Sequence, residues 1–211
     1  LRGRWGPAAV AYLLAVLSKE SAFTFLAVPA LSDWVRGRKW DWRGYGVVAM
    51  TAAAALALRY AVLGGVAPLA VSSSSNPLVG TDTVTRLLTA TAVLGRYLWL
   101  LVWPVSLSAD YSFHQIPPVT GPWSGWFLAV AALVGAMIWA FRRSRILFFC
   151  GAFLVVTLAL TSNYLRPIGT IMGERLLYLP ALGFTCAVAY ALGQVRQKQA
   201  ATAGAVVLAL L

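Results

Sequence analysis

Long apolar runs separated by short polar stretches dominate the chain. Runs over residues 44–63, 123–141, 146–162 and 176–193 approach the roughly 20 residues that an α-helix needs to cross about 30 Å of hydrocarbon. Each is predicted to be a transmembrane helix. Trp42, Tyr45, Trp123, Trp126 and Tyr178 stand near their ends, where amphipathic rings favour the headgroup level. Small residues inside the runs (Ala52 to Ala55, Gly135, Gly151) let helices approach closely.

Two further apolar stretches do not read as simple crossings. Residues 7–35 are interrupted by Lys19–Glu20, and residues 87–107 carry Arg96 midway and Pro104 near the end. A base at the bilayer centre costs about 2.5–3.5 kcal/mol on insertion scales, so something must offset it. Basic residues cluster at Arg2 and Arg4, at 36–43, at 142–145 and at Arg196 and Lys198, each beside an apolar run. Such clusters mark cytoplasmic loops. With 36–43 and 142–145 on the same side, 44–63 leads out and 123–141 leads back. Residues 87–107 must then not cross, and are predicted to form a re-entrant or interfacial helix. The same reasoning makes 7–35 a hairpin of two short helices with Lys19–Glu20 at its tip.

Composition agrees. The 211 residues are 60% hydrophobic and 11% charged, against about 45–50% and about 25% in soluble domains. The expected fold is an all-α, polytopic transmembrane bundle, with residues 1–211 as a fragment of a single membrane domain whose ends both look cut. A soluble domain, a disordered chain and a disulfide scaffold are excluded. Seventeen Lys and Arg against six Asp and Glu give a net charge of +11. Because the bases abut apolar runs, that surplus encodes topology rather than nucleic-acid binding. The lone His114 argues against a histidine zinc site, and no metal or other cofactor is expected. Walker, nucleophile-elbow, HExxH and Rossmann motifs are absent.

The remaining polar residues gather. Residues 64–86, 108–122 and 163–175 read as loops on the non-cytoplasmic side, and they carry Asp110, His114, Arg166, Glu174 and Arg175. Lys19, Glu20 and Arg96 point towards that side from membrane depth. Each has a purely structural alternative. Lys19 could pair with Glu20, Arg96 could snorkel or meet a carbonyl, Glu174 could begin a helix and Asp110 could form a turn. Cations at headgroup depth also suit a lipid-linked phosphate.

Four ordered segments then resemble one family. Leu17–Ser21 reads L-S-K-E-S. Ser75–Thr89 reads S-N-P-L-V-G-T-D-T-V-T-R-L-L-T. Arg96–Phe113 reads R-Y-L-W-L-L-V-W-P-V-S-L-S-A-D-Y-S-F, and Ser162–Pro180 reads S-N-Y-L-R-P-I-G-T-I-M-G-E-R-L-L-Y-L-P. Together they are similar to the transmembrane and tetratricopeptide-repeat O-mannosyltransferases, in a form closer to bacterial relatives. The resemblance implies a membrane-embedded glycosyltransferase of the C-type fold. Such an enzyme moves a sugar, typically mannose, from a polyprenyl- or dolichyl-phosphate donor to a protein Ser or Thr on the external side. It implies a multi-pass protein of the bacterial inner membrane, or of the endoplasmic reticulum membrane in a eukaryote.

The family's catalytic acid belongs to an acidic pair in a first external loop. That loop and the tetratricopeptide repeats fall outside this sequence, so the fragment alone is expected to be inactive. Arg96, Arg175 and Lys19 are then the candidates for the donor phosphate. Glu174, Asp110, Glu20, His114 and Arg166 are the candidates for the sugar or acceptor side and for orienting the bases. A transporter or lipid flippase, or a non-catalytic membrane scaffold, are the alternative readings. A transporter would show related halves, and the sequence shows no such duplication.

Overall fold

A computed structural model describes residues 5–64, 71–105, 107–112, 115–121 and 123–194. Every regular element among them is helical. In chain order they are α1 (Trp5–Ser18), a 3₁₀ segment (Glu20–Leu26), α2 (Val28–Val35), α3 (Trp42–Leu63), α4 (Thr83–Val102), α5 (Trp126–Arg143), α6 (Arg145–Ala159), a 3₁₀ turn (Glu174–Leu177) and α7 (Pro180–Gln194). The chain divides into two compact units, Leu1–Ala70 and Val71–Leu211.

In the first unit, α1 and α3 run side by side in the same direction. The Trp5 indole N–H donates to Asp41 Oδ2 at 2.9 Å at one end, while Val16 and Leu17 face Ala55 and Leu58 towards the other. Two parallel neighbours require the chain to return between them. It does so through the 3₁₀ segment and α2, whose Asp33 accepts a 2.7 Å hydrogen bond from the Tyr45 hydroxyl at the start of α3. The hairpin expected over 7–35 therefore forms, with Lys19–Glu20 at its turn. Its return limb is broken in two, because Pro29 lies in the first turn of α2 and starts a helix there. Buried Tyr12, Val16, Ala22, Val48, Ala52 and Ala55 form the core of this unit. The small Ala52 and Ala55 admit α1 closely, as the alanine run implied. Trp40, Trp42 and Tyr45 stack or meet edge to face at centroid distances of 5.7–6.1 Å beside the 36–43 basic cluster. Amphipathic rings of this kind favour a membrane interface.

The second unit is organised around α4. Asp82 caps it by accepting the Thr85 N–H at 3.0 Å, and the helix runs unbroken past Arg96 to Val102, just before Pro104. At 20 residues it is about 30 Å long. It is one continuous helix that does not turn back on itself within these residues. Its buried face comprises Thr89, Ala90, Ala92, Val93, Gly95 and Tyr97, while Val84, Leu87, Trp99 and Val102 are exposed. Gly95 is the close-approach point to α5, since a Cβ there would come within 2.2 Å of the Trp126 carbonyl oxygen.

Ser144 turns α5 into α6 and caps α6 through the Leu147 N–H at 3.3 Å. Arg142 and Arg143 close α5, where cations complement the helix dipole. Val93, Tyr97, Leu154, Leu158, Ile171 and Met172 are the centre of this unit's core.

Among the described residues, α3 and α5 are the helices long and apolar enough to cross a membrane; α1 and α6 are apolar but shorter. The runs at 146–162 and 176–193 thus give shorter α-helices than their apolar length implied. Thr161 and Ser162 leave the helix in turns that cap carbonyls of residues 158 and 159. At the other run, Pro180 begins α7 only after the 3₁₀ turn.

Candidate functional site

The second unit brings three loop segments to the core-facing side of α4. Tyr97, 1% exposed, fixes the third of them: its hydroxyl accepts the Gly173 N–H at 2.9 Å and lies 3.3 Å from the carbonyl oxygen of the same residue. The Tyr111 N–H donates to the Met172 carbonyl at 3.2 Å, joining the second loop to the third. Gly173 allows this contact, since a Cβ there would press on the Ala109 carbonyl oxygen at 3.2 Å.

Two carboxylates grow from this frame. Glu174 follows Gly173 directly, and its Oε1 accepts the Ser108 N–H and, at 2.9 Å, the Tyr111 hydroxyl. Asp110 Oδ1 accepts the Ser112 N–H at 3.1 Å, with the hydroxyls of Ser112 and Thr170 at 2.8 and 2.6 Å. Each carboxylate is held by one oxygen, and among the described residues its other oxygen has no hydrogen bond. The Thr170 hydroxyl is the main cause keeping the Asp110 carboxyl below its ordinary value, with Ser112 and the Arg175 charge adding to it. Burial first, then the bond to Glu174, pushes the Tyr111 phenol up.

Two guanidinium groups complete the cluster. Arg96 is half-buried, with its Cζ 5.2 Å from the centroid of the Trp126 ring. A desolvated cation over an indole face gains roughly 2 kcal/mol. Stacking of this kind is a further way for a half-buried guanidinium to be accommodated, beside the snorkelling or carbonyl contact that the sequence left open. Among the described residues the buried Arg96 Nε has no hydrogen-bond partner. The Arg96 charge acts on Tyr111, and the exposed Arg175 acts on Asp110 and Tyr97. Arg96, Asp110, Glu174 and Arg175 therefore form one neighbourhood drawn from α4, the 107–112 loop and the 3₁₀ turn.

The other candidates stand apart from it. Arg166 is exposed on the third loop. His114 lies outside the described residues. Lys19 and Glu20 belong to the first unit, and they do not pair with each other as the structural alternative supposed. Glu20 Oε1 instead meets Arg59 Nη2 at 2.6 Å, because the hairpin turn lays Glu20 against α3. Among the described residues no group of His, Cys, Asp and Glu could hold a metal ion.

Sequence reasoning did not find Tyr97, Tyr111, Thr170 or Trp126 as supports of the site. In sequence Tyr97 and Trp126 are ordinary members of apolar runs. The one available signal was their position immediately beside Arg96 and at a predicted membrane boundary.

Comparison with known proteins supplies the context. Residues 65–138 match the family described as Protein O-mannosyl-transferase TMTC, DUF1736. The chain is 27% identical over 183 residues to Protein O-mannosyl-transferase Tmtc3 of Drosophila melanogaster, covering 81% of this chain and 20% of that protein. It is 31% identical over 139 residues to TMTC1 of Mus musculus, covering 61% of this chain and 15% of the relative. With TMTC4 of Homo sapiens it shares 28% identity over 159 residues, covering 70% and 22%. No solved structure matches. The chain thus spans about a fifth of the length of the curated relatives it matches. The family match overlies α4 and the 107–112 loop, where Arg96 and Asp110 stand, and by these comparisons the chain is similar to the TMTC protein O-mannosyl-transferases.

Proposed function

We propose that this chain is part of the membrane domain of a glycosyltransferase that moves a sugar, mannose by family, from a polyprenyl- or dolichyl-phosphate donor to a protein Ser or Thr on the external side. The observation that carries this reading is the convergence of Arg96, Arg175, Asp110 and Glu174. A lipid-phosphate sugar presents an anion at headgroup depth joined to a hydroxyl-rich ring. Guanidinium groups suit the first, through charge-assisted and bidentate hydrogen bonds. Carboxylates with a spare oxygen suit the second.

In the transfer, the acceptor hydroxyl oxygen bonds to the anomeric carbon as the bond from that carbon to the phosphate oxygen breaks. The lipid phosphate leaves with the electron pair of that bond. Arg96 and Arg175 stabilise the charge it gains, an electrostatic role that needs no reorganisation in the transition state. The acceptor proton passes to a carboxylate, which the family resemblance assigns to the acidic pair of a first external loop. Asp110 and Glu174 orient the guanidinium groups and the sugar. Lys19, exposed at the hairpin turn of the first unit, is a further candidate for the lipid phosphate. The protein is multi-pass, with these loops external.

The test is reconstitution of the full natural chain in vesicles with a polyprenyl-phosphate mannose and a Ser/Thr-rich acceptor peptide. Hexose gained by the peptide, and lost in Arg96→Ala and Arg175→Ala at equal folded protein, supports the reading. Transport of the lipid between leaflets with no hexose transfer would replace it.

A further inference from the structure

Asn76 is fully buried in the first loop, far in sequence from the residues it touches. Its Nδ2 lies 2.9 Å from Asn163 Oδ1, 2.9 Å from the Ile168 carbonyl and 3.3 Å from the Thr170 carbonyl. Its Oδ1 accepts the Leu78 N–H at 3.0 Å. Three acceptors on one side and a donor on the other fix which way the amide points. Asn163 is 1% exposed and holds a left-handed φ of 60°, a conformation asparagine tolerates better than most residues. Its amide closes the third loop on itself, receiving the Ile168 N–H and donating to the Ile171 carbonyl, each at 2.9 Å.

The contacts form a ring. From Asn76 the path runs to the Thr170 backbone, from the Thr170 hydroxyl to Asp110, and from Asp110 to the Ser112 hydroxyl. That hydroxyl lies 3.2 Å from the carbonyl of Ser75, the residue preceding Asn76. Asp110 is the one charged member, and it is exposed while Asn76, Ser112, Asn163 and Thr170 are buried. A buried polar network of this kind is costly unless every member is satisfied. Here its satisfied members all lead to one exposed carboxylate.

We propose that Asn76 is a positioning residue, acting through Thr170 to hold the Asp110 carboxylate in a single orientation beside Arg175. The inference rests on the reading that Asp110 serves the sugar or acceptor side. The Thr170 hydroxyl has one proton and two acceptors, Asp110 Oδ1 at 2.6 Å and the Met172 carbonyl at 2.8 Å. Its choice between them depends on where the 163–173 loop holds its backbone, which is what Asn76 grips. Among the described residues, the charged and titratable groups facing Asp110 are Arg175 from the 3₁₀ turn and Tyr97 from α4.

The experiment uses the full natural chain and follows the pH dependence of hexose transfer from a polyprenyl-phosphate mannose. Thr170→Val removes the hydroxyl while keeping the shape. The acid limb of kcat/KM is expected to move to higher pH, because the ionised carboxylate loses a donor. Thr170→Ser should restore the limb. Asn76→Ala should move it in the same direction as Thr170→Val, with folded yield recorded alongside. Should Asn76→Ala not fold, the Val and Ser pair at 170 still decides. An acid limb unmoved in Thr170→Val, while Asp110→Asn abolishes transfer, overturns the inference and leaves the reading of Asp110 intact. Full transfer by Asp110→Asn with the native profile overturns that reading and the inference with it.

Discussion

Tyr97 holds both backbone polar atoms of Gly173 with a single hydroxyl, accepting its N–H at 2.9 Å and lying 3.3 Å from its carbonyl oxygen. The next residues are Glu174 and Arg175, so the middle of α4 sets where the two charged side chains begin. Tyr97→Phe would leave the buried Gly173 N–H without that acceptor. An orphaned buried donor costs about 1–3 kcal/mol. Unfolding in detergent micelles should show a loss of that size, together with faster protease cutting between 163 and 175. A variant as stable as the parent would show that the pair contributes nothing.

Arg96 is expected to bind the donor phosphate. Charge-assisted hydrogen bonds contribute roughly 1.5–3 kcal/mol each, so Arg96→Ala should weaken donor binding about ten- to a hundredfold. Arg96→Lys should recover only part of it, because an ammonium lacks the planar fork and stacks less well on Trp126. Binding of a polyprenyl phosphate to purified variants, normalised to folded protein, makes the comparison. Unchanged affinity in Arg96→Ala would leave Arg175 as the leading ligand.

The topology expected from the basic clusters at 36–43 and 142–145 can be tested directly. After Cys150 and Cys186 are replaced, single cysteines at Ser74, Gln115 and Arg166 should react with an impermeant reagent from outside. Cysteines at Arg38 and Ser144 should not. External labelling at Ser144 would require α4 to cross the membrane.

Residues 1–211 alone are expected to bind donor without turning it over. A general base contributes typically about 10²–10⁴-fold, and phosphate contacts do not replace it. Hexose transfer by the purified 211-residue chain would assign the base to Asp110 or Glu174.

Acid should loosen the loops through Asp110. Its carboxyl lies below the ordinary value, chiefly because of the Thr170 hydroxyl. The stabilisation from ionised Asp110 is therefore present above the ordinary carboxylate range and lost as pH falls through the lowered folded-state value. Protease sensitivity of residues 107–112 should rise over that acid window in the parent. In Asp110→Asn, sensitivity should be constant across the same window; a parallel acid response there would place the titration elsewhere.

The helices were legible in the sequence because apolar length and end signals are local. Asp41, Asp82 and Ser144 each cap the helix that follows them, and Pro104 stands just beyond the end of α4. The hairpin at 7–35 was legible from charge placement. Its broken return limb was not anticipated, although Pro29 stood in the sequence. Of the site, Arg96, Asp110, Glu174 and Arg175 stood out as charges in an apolar chain. Their supports did not, since the bond between Asn76 and Asn163 joins residues 87 apart and leaves no periodic trace. Likewise Glu20 finds Arg59 rather than its sequence neighbour Lys19, a choice made by the packing of the hairpin turn on α3.

The one-sided anchoring of Asp110 and Glu174 has a selective consequence. A molecule entering this neighbourhood meets, from two carboxylates, oxygens that accept no hydrogen bond from the described residues, and donors from two guanidinium groups. It is favoured only if it carries the complementary polarity at both places: protons to give at one end, and negative oxygens to receive them at the other. A plain phospholipid phosphate satisfies the cations and leaves the carboxylates facing a hydrocarbon tail or a methylated amine. A neutral glycan satisfies the carboxylates and leaves the cations without a counter-charge. On the proposed function, discrimination between a sugar-bearing lipid and the surrounding bilayer would reside in how hydrogen-bond direction is distributed across the opening, before any shape is read.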